Sequence, residues 1–239
     1  MPPFTVFPAI DLKNGKVVRL AQGDPQRQTV YGQEPGQVAA AWLAVGAAWL
    51  HVVDLDAAFG KATGANREAM AEILRTKAAV QFGGGVRSLG DVEQALSLGL
   101  GRVILGTMAA ESPELVGEAV DQFGSERVGV GIDVREGRIR VRGWTRDSGI
   151  DTEALAKQLY QMGVRTVVHT DISRDGMGRG LNVEASRRLA EATGLQVIAS
   201  GGVASLTEVR RARQAGLRGV IIGRALYEGK ISLSEALRC

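Results

Sequence analysis

Two aspartates stand in matched surroundings. Residues 10–18 (IDLKNGKVV) and 132–140 (IDVREGRIR) align at an offset of 122, which places Asp11 on Asp133 and Gly15 on Gly137. Such a pair of carboxylates suits proton transfer: one, protonated, serves as general acid and the other, ionised, as general base. Each role is worth about 10²–10⁴ in rate. Two unrelated loop-end aspartates are the plainer alternative, and their correspondence in a repeat weighs against it.

Glycine clusters form a second matched set. Residues 83–106 and 200–223 align at an offset of 117, placing Gly84 and Gly85 on Gly201 and Gly202, Gly106 on Gly223, and, outside those segments, Asp54 on Asp171. Backbone N–H groups in glycine loops can point together at an anion and bind phosphate. Arg87 and Thr107 accompany the first set and Arg224 the second. One Gly-Gly is usually only a turn; two matched sets predict a ligand with two phosphates and the aspartates between them.

Other residues carry weaker signals. His51 lies mid-strand and reads as a packed, hydrogen-bonded core residue. Thr170 and His169 are strand neighbours and point to opposite sides, so if Thr170 faces a barrel axis His169 faces the helices. Residues 171–178 (DISRDGMG) read as a polar loop with glycine hinges that could close over a ligand; an ordinary loop with an Asp-Gly turn is the alternative. Trp144 could stack on a heterocycle or merely plug a loop. The cluster Arg135, Arg138, Arg140, Arg142 and Arg146 reads either as a solvated loop or hairpin face or as an attractor of a small anion.

The elements that must position these residues are legible as an alternation. Short apolar runs at 4–10, 49–54, 79–83, 102–106, 127–133, 165–170, 196–200 and 219–223 read as strands. Amphipathic stretches near 36–45, 65–76, 88–98, 113–123, 151–162, 183–193, 205–215 and 232–237 read as helices. Ser88 and Ser205 stand as N-caps with Asp91 and Glu208 three residues on. Gly99, Gly163, Gly194 and Gly216 fall where helices end. Eight β–α units predict a parallel sheet closed into a (β/α)8 TIM barrel. A doubly wound open sheet is the alternative, disfavoured by the repeat. The reading is one barrel domain, 1–239, of two half-barrels, about 1–120 and 121–239. Strands 1 and 5 then face each other, with Asp11 and Asp133 across the mouth.

Composition bounds the function. With 239 residues, 45% hydrophobic and 23% charged, the chain is neither disordered nor too small for a large core. Its 32 glycines accompany only 6 prolines and show no fixed period, which excludes collagen and linker readings. Two His and the single Cys239 make a structural zinc site an unlikely use of the sequence. A net charge of +3, with no basic arm interleaved with aromatics, predicts no nucleic-acid partner. The uncharged stretch 35–53 is broken by Pro35, Gly36, Gly46 and His51, so no membrane partner is predicted. The first residues lack a secretory pattern, and a cytoplasmic location is expected.

Together the motifs at 8–24 (PAIDLKNGKVVRLAQGD), 82–88 (FGGGVRS), 131–144 (GIDVREGRIRVRGW), 169–177 (HTDISRDGM), 199–203 (ASGGV) and 221–229 (IIGRALYEG) resemble the histidine-biosynthesis isomerase family, the ProFAR isomerases, over essentially the whole chain. The resemblance implies an Amadori rearrangement of an aminoaldose to an aminoketose, on a small substrate bearing two phosphoribosyl groups, with no cofactor or metal; separately from it, a monomer is the expected state. It implies Asp11 as the base that takes the C2 proton and Asp133 as the acid that opens the ribose ring. Thr170 matches a helper threonine and Asp175 a loop aspartate of the family, while Arg19 and Trp144 match substrate-contacting positions. Met177 departs from the usual threonine after Asp-Gly, which touches loop detail rather than chemistry. The sister cyclase family has Cys where Ala9 stands and Lys where Arg19 stands. A bifunctional isomerase that also takes phosphoribosylanthranilate and a non-catalytic phosphate-binding barrel are the other readings; the aspartate pair speaks against the last, because carboxylates near a bound anion repel it.

Overall fold

The computed structural model describes residues 3–239. The chain opens with β1 (Thr5–Lys13), which turns at Asn14-Gly15 into an antiparallel extension, β2 (Lys16–Ala21) and β3 (Asp24–Gly32). Then follow α1 (Pro35–Val45), β4 (Trp49–Asp54), α2 (Leu55–Ala58), α3 (Gly64–Arg75), β5 (Ala79–Gly83), α4 (Leu89–Ser97), β6 (Arg102–Leu105), α5 (Thr107–Glu111) and α6 (Pro113–Phe123). The second half repeats the plan. It runs β7 (Val128–Arg135), β8 (Arg138–Val141), β9 (Arg146–Asp151), α7 (Thr152–Gln161), β10 (Thr166–Asp171), α8 (Val183–Thr193), β11 (Gln196–Ser200), α9 (Leu206–Gln214), β12 (Gly219–Ile222), α10 (Arg224–Tyr227) and α11 (Leu233–Leu237).

Eight parallel strands close in the order β1-β4-β5-β6-β7-β10-β11-β12, with β12 pairing back to β1. This is the (β/α)8 barrel that the alternation predicts. The strands are apolar because helices cover them outside and side chains fill them inside. One large apolar layer lies between strands and helices, built from residues such as Leu50, Ile73, Leu105, Ile132, Leu159 and Ile222. A smaller cluster of Phe7, Ala9, Ile104, Val168, Ile198 and Ile221 fills the barrel interior.

Local signals explain the helix ends. Ser88 accepts from the Asp91 N–H at 3.1 Å, and Ser205 and Glu208 form a reciprocal capping box. Gly46 and Gly194 cap α1 and α8 in the left-handed conformation. The sequence reading missed both antiparallel extensions and the short helices α2, α5 and α10. It also ended strand 1 at residue 10, whereas β1 runs on to Lys13 because β2 folds back and supplies its hydrogen bonds. No helix among the described residues is long and apolar enough to cross a membrane.

Candidate active site

A cavity of about 780 Å³ occupies the C-terminal mouth of the barrel. Asp11 enters it from β1, where Asp11 pairs with Val53 of β4 on one side and Val18 of β2 on the other. The β1–β2 reversal brings Arg19 back beside Asp11: Arg19 Nη1 lies 2.8 Å from Asp11 Oδ2, and Nη2 lies 3.7 Å from Asp175 Oδ1. Arg19 is buried, and its guanidinium lies so close over Gly223 that a Cβ there would sit 2.5 Å from Cζ. Burial pushes the Asp11 carboxyl up to about 6, against the pull of Arg19, with Asp175 adding a further push. Asp175 is raised by burial too, again opposed by Arg19.

Asp133 reaches the same cavity from β7, with Thr170 of β10 as its cross-strand partner. The Trp144 indole N–H donates to Asp133 Oδ2 at 2.7 Å. Burial raises the Asp133 carboxyl, while hydrogen bonds from Thr170 and Trp144 work the other way. No cation contributes to that balance. The two aspartates therefore sit in unlike settings: Asp11 beside a guanidinium that favours its ionised form, Asp133 without one.

The glycine sets flank these carboxylates. Gly84, Gly85, Arg87, Gly106 and Thr107 line the large cavity. Gly201, Gly202, Gly223 and Arg224 line a smaller recess of about 130 Å³. Arg19 and Asp175 border both spaces. The repeat is visible at atomic detail. A Cβ on Gly84 would meet the Asp54 carbonyl oxygen at 2.3 Å, and one on Gly201 would meet that of Asp171 at 2.5 Å. Both aspartates are in turn held by an asparagine, Asn66 on Asp54 at 2.6 Å and Asn182 on Asp171 at 2.9 Å.

The loop after β10 lies across the mouth. The Gln22 N–H donates to Asp175 O at 3.1 Å, Gln22 Nε2 donates to Ser173 O at 3.0 Å, and Arg224 Nη1 donates to Gly176 O at 2.7 Å. From the opposite side, Trp144 packs over Gly23, where a Cβ would be 2.4 Å from the indole ring. The Arg142 N–H donates to Thr107 Oγ1 at 2.9 Å, and Arg142 pairs with Glu111 at 2.8 Å. All the expected site residues thus border one of the two spaces.

The remaining sequence expectations divide. His169 points away from the cavity to Ser186 of α8 at 2.9 Å, as the strand alternation with Thr170 requires. His51 is buried and hydrogen-bonded to Gln81 at 3.0 Å, yet it also borders the cavity, and burial together with Arg19 pushes it down to about 3. A neutral imidazole on the wall was not legible in the sequence, because an apolar run does not say which side faces a lumen. The arginine cluster lies on the β8–β9 hairpin and its approaches: Arg140 and Arg142 border the cavity, and Arg135 donates to Gln22 O at 3.3 Å. The sequence reading offered the whole cluster as a solvated face or an anion attractor; which members reach the site is decided by the hairpin, which turns Arg140 inward.

Fold and cleft define the class: a (β/α)8-barrel enzyme whose polar side chains gather at the C-terminal rim of the strands. The chain belongs to the histidine biosynthesis protein family, which matches residues 5–232. It is 48% identical over 236 residues to a protein of Geotalea daltonii named 1-(5-phosphoribosyl)-5-((5-phosphoribosylamino)methylideneamino)imidazole-4-carboxamide isomerase, covering 97% of this chain and 96% of that one. Proteins of the same name from Syntrophomonas wolfei and Rhodopseudomonas palustris are 44% and 47% identical over 237 residues, each covering at least 97% of this chain and 96% of its own length.

Proposed function

We propose that this protein isomerises ProFAR, an aminoaldose carrying two phosphoribosyl groups, to its aminoketose in histidine biosynthesis. The observation that carries the reading is the pair of largely buried carboxyl groups in one cavity whose wall holds one glycine set, beside a recess that holds the other, each set suited to a phosphate. Near-full-length relatives named for that reaction support it.

In this reading Asp133 gives its proton to the ribose ring oxygen as the C1–O bond breaks, which opens the ring to a protonated imine. Asp11 takes the C2 proton and the electrons move into a C1–C2 double bond. The enolamine then becomes the ketose as its C2 hydroxyl loses a proton and C1 gains one, so that one proton returns to Asp133 and Asp11 gives up the one it took. The proton balance closes within one substrate and two carboxylates. Arg19 keeps Asp11 ionised for its role, and the lack of a cation at Asp133 leaves that group easier to protonate. Thr170 and the Trp144 indole hydrogen-bond Asp133 and stabilise its conjugate base once the proton has left. Gly84, Gly85, Arg87, Gly106 and Thr107 hold one phosphate, and Gly201, Gly202, Gly223 and Arg224 hold the other. The chain acts as a monomer in the cytoplasm.

An assay with both aminoaldoses tests this. Turnover of ProFAR alone is the expected result. Turnover of phosphoribosylanthranilate as well would widen the activity to both pathways, and turnover of neither would sink the proposal.

A further inference from the structure

The smaller recess contains an electrostatic oddity. Its border carries three cations, Arg19, Arg224 and Lys230, as an anion site should, but also two carboxyl groups: Asp175, which faces Arg19, and Glu228. Glu228 Oε1 accepts from Arg224 Nε and from the Tyr31 hydroxyl at 3.0 Å, and Oε2 lies 2.7 Å from Lys230 Nζ. These donors hold the Glu228 carboxyl down at about 2, so it is ionised at every working pH. A fixed negative charge beside an incoming phosphate opposes its binding.

The surroundings show what that carboxylate holds. Arg224, gripped through Nε by Glu228, uses Nη1 to donate to Gly176 O at 2.7 Å, one residue beyond Asp175. Tyr31 stacks on Tyr227 with ring centroids 4.9 Å apart, and the Tyr227 hydroxyl donates to Ala9 O at 2.9 Å, two residues before Asp11. Glu228 is thus set in a rigid frame tied to both aspartate-bearing segments.

We propose that Glu228 is an internal counter-anion: its carboxylate engages Arg224 and Lys230 at the recess, and an entering phosphate group takes over bonds from both. This rests on the reading that the recess receives a phosphate of the substrate. Glu228 is a positioning residue. It keeps Arg224 clamped on the Asp175 loop, and it keeps phosphate affinity low enough for product to leave. Lys230, which the sequence reading did not single out, becomes a phosphate ligand.

The test is a calorimetric titration of the full chain with inorganic phosphate, beside steady-state kinetics. The unaltered protein is expected to show two binding constants, one per space. In Glu228→Gln one of them tightens by about fivefold, the effect of removing one unit charge about 4 Å away when water screens it fully, and the other stays put. The same variant lowers both KM and kcat, because the loop clamp loosens. Lys230→Met, a change at a half-exposed side chain, weakens the same constant by a similar factor. An unmoved or weakened constant in Glu228→Gln, or an unmoved one in Lys230→Met, overturns the counter-anion role while the phosphate reading stands. No phosphate binding by the unaltered protein would remove the phosphate reading and this inference with it. A purely structural ion-pair cluster would lower the melting temperature and leave phosphate affinity alone.

Discussion

At the scale of single residues, the site uses burial to raise its carboxyl groups above the usual range and one guanidinium to tell them apart. Asp11→Asn and Asp133→Asn are each expected to lower kcat by about 10²–10⁴, the worth of one acid or base, with an unchanged circular-dichroism spectrum. Because Asp11 must be ionised to act, kcat/KM is expected to fall tenfold per pH unit below about 6; a profile flat down to pH 4.5 would rule out Asp11 as the base. The same shifts cost stability. A carboxyl whose folded value is raised binds more protons folded than unfolded, so stability falls as pH rises from the unfolded value through the folded one. Asp133 is such a group and has no cation beside it. Asp133→Asn should therefore melt higher than the parent at pH 7.5. The gain should vanish by pH 4, and a lower melting point at neutral pH would contradict the reading.

At the scale of elements, the glycine loops are set by backbone contact more than by flexibility. Gly84 and Gly201 have φ of +101° and +92°, and each approaches the backbone of the preceding parallel strand's aspartate. Gly84→Ala or Gly201→Ala is expected to cost at or above about 3 kcal/mol, the top of the usual range for point variants. Gly99 has φ of +96° with nothing within 4 Å, so Gly99→Ala should cost only the left-handed strain of about 1–2 kcal/mol. Urea unfolding of the three variants would settle the order. These contacts join loops that the repeat already aligned. The hairpins were harder to read. β3 is polar and mostly exposed, so it lacks the apolar run that marked the barrel strands. β2 is apolar, but it pairs antiparallel through turns at Asn14-Gly15 and Gln22-Gly23 whose role shows only once β1 is in place.

At the scale of the whole molecule, the glycine set of the first half-barrel lines the large cavity, whose walls come from both halves, and that of the second lines the smaller recess. A substrate analogue lacking one phosphate is expected to lose kcat as well as to raise KM, since binding energy from the remote end is used to orient the reacting end. A change in KM alone, with kcat retained, would mean that the two spaces do not act on one ligand.

The sequence by itself determined the barrel and its duplicated plan, because apolar runs, glycine stops and a repeated register are local patterns that survive without coordinates. It also located both aspartates and both glycine sets, since matched motifs carry their chemistry with them. Only the tertiary structure decided which charges meet. Arg19 meets Asp11, 8 residues before it, and Asp175, 156 residues after it, only because β2 folds back over the mouth. Trp144 bonds Asp133 and His51 borders the lumen because the closed barrel and its second hairpin aim them there. Glu228 meets Arg224 and Lys230 within one short stretch of chain, and the fold seats that group at the recess. Each depends on where the closed barrel points a side chain, and burial, which sets the carboxyl shifts, exists only once that closure has expelled water.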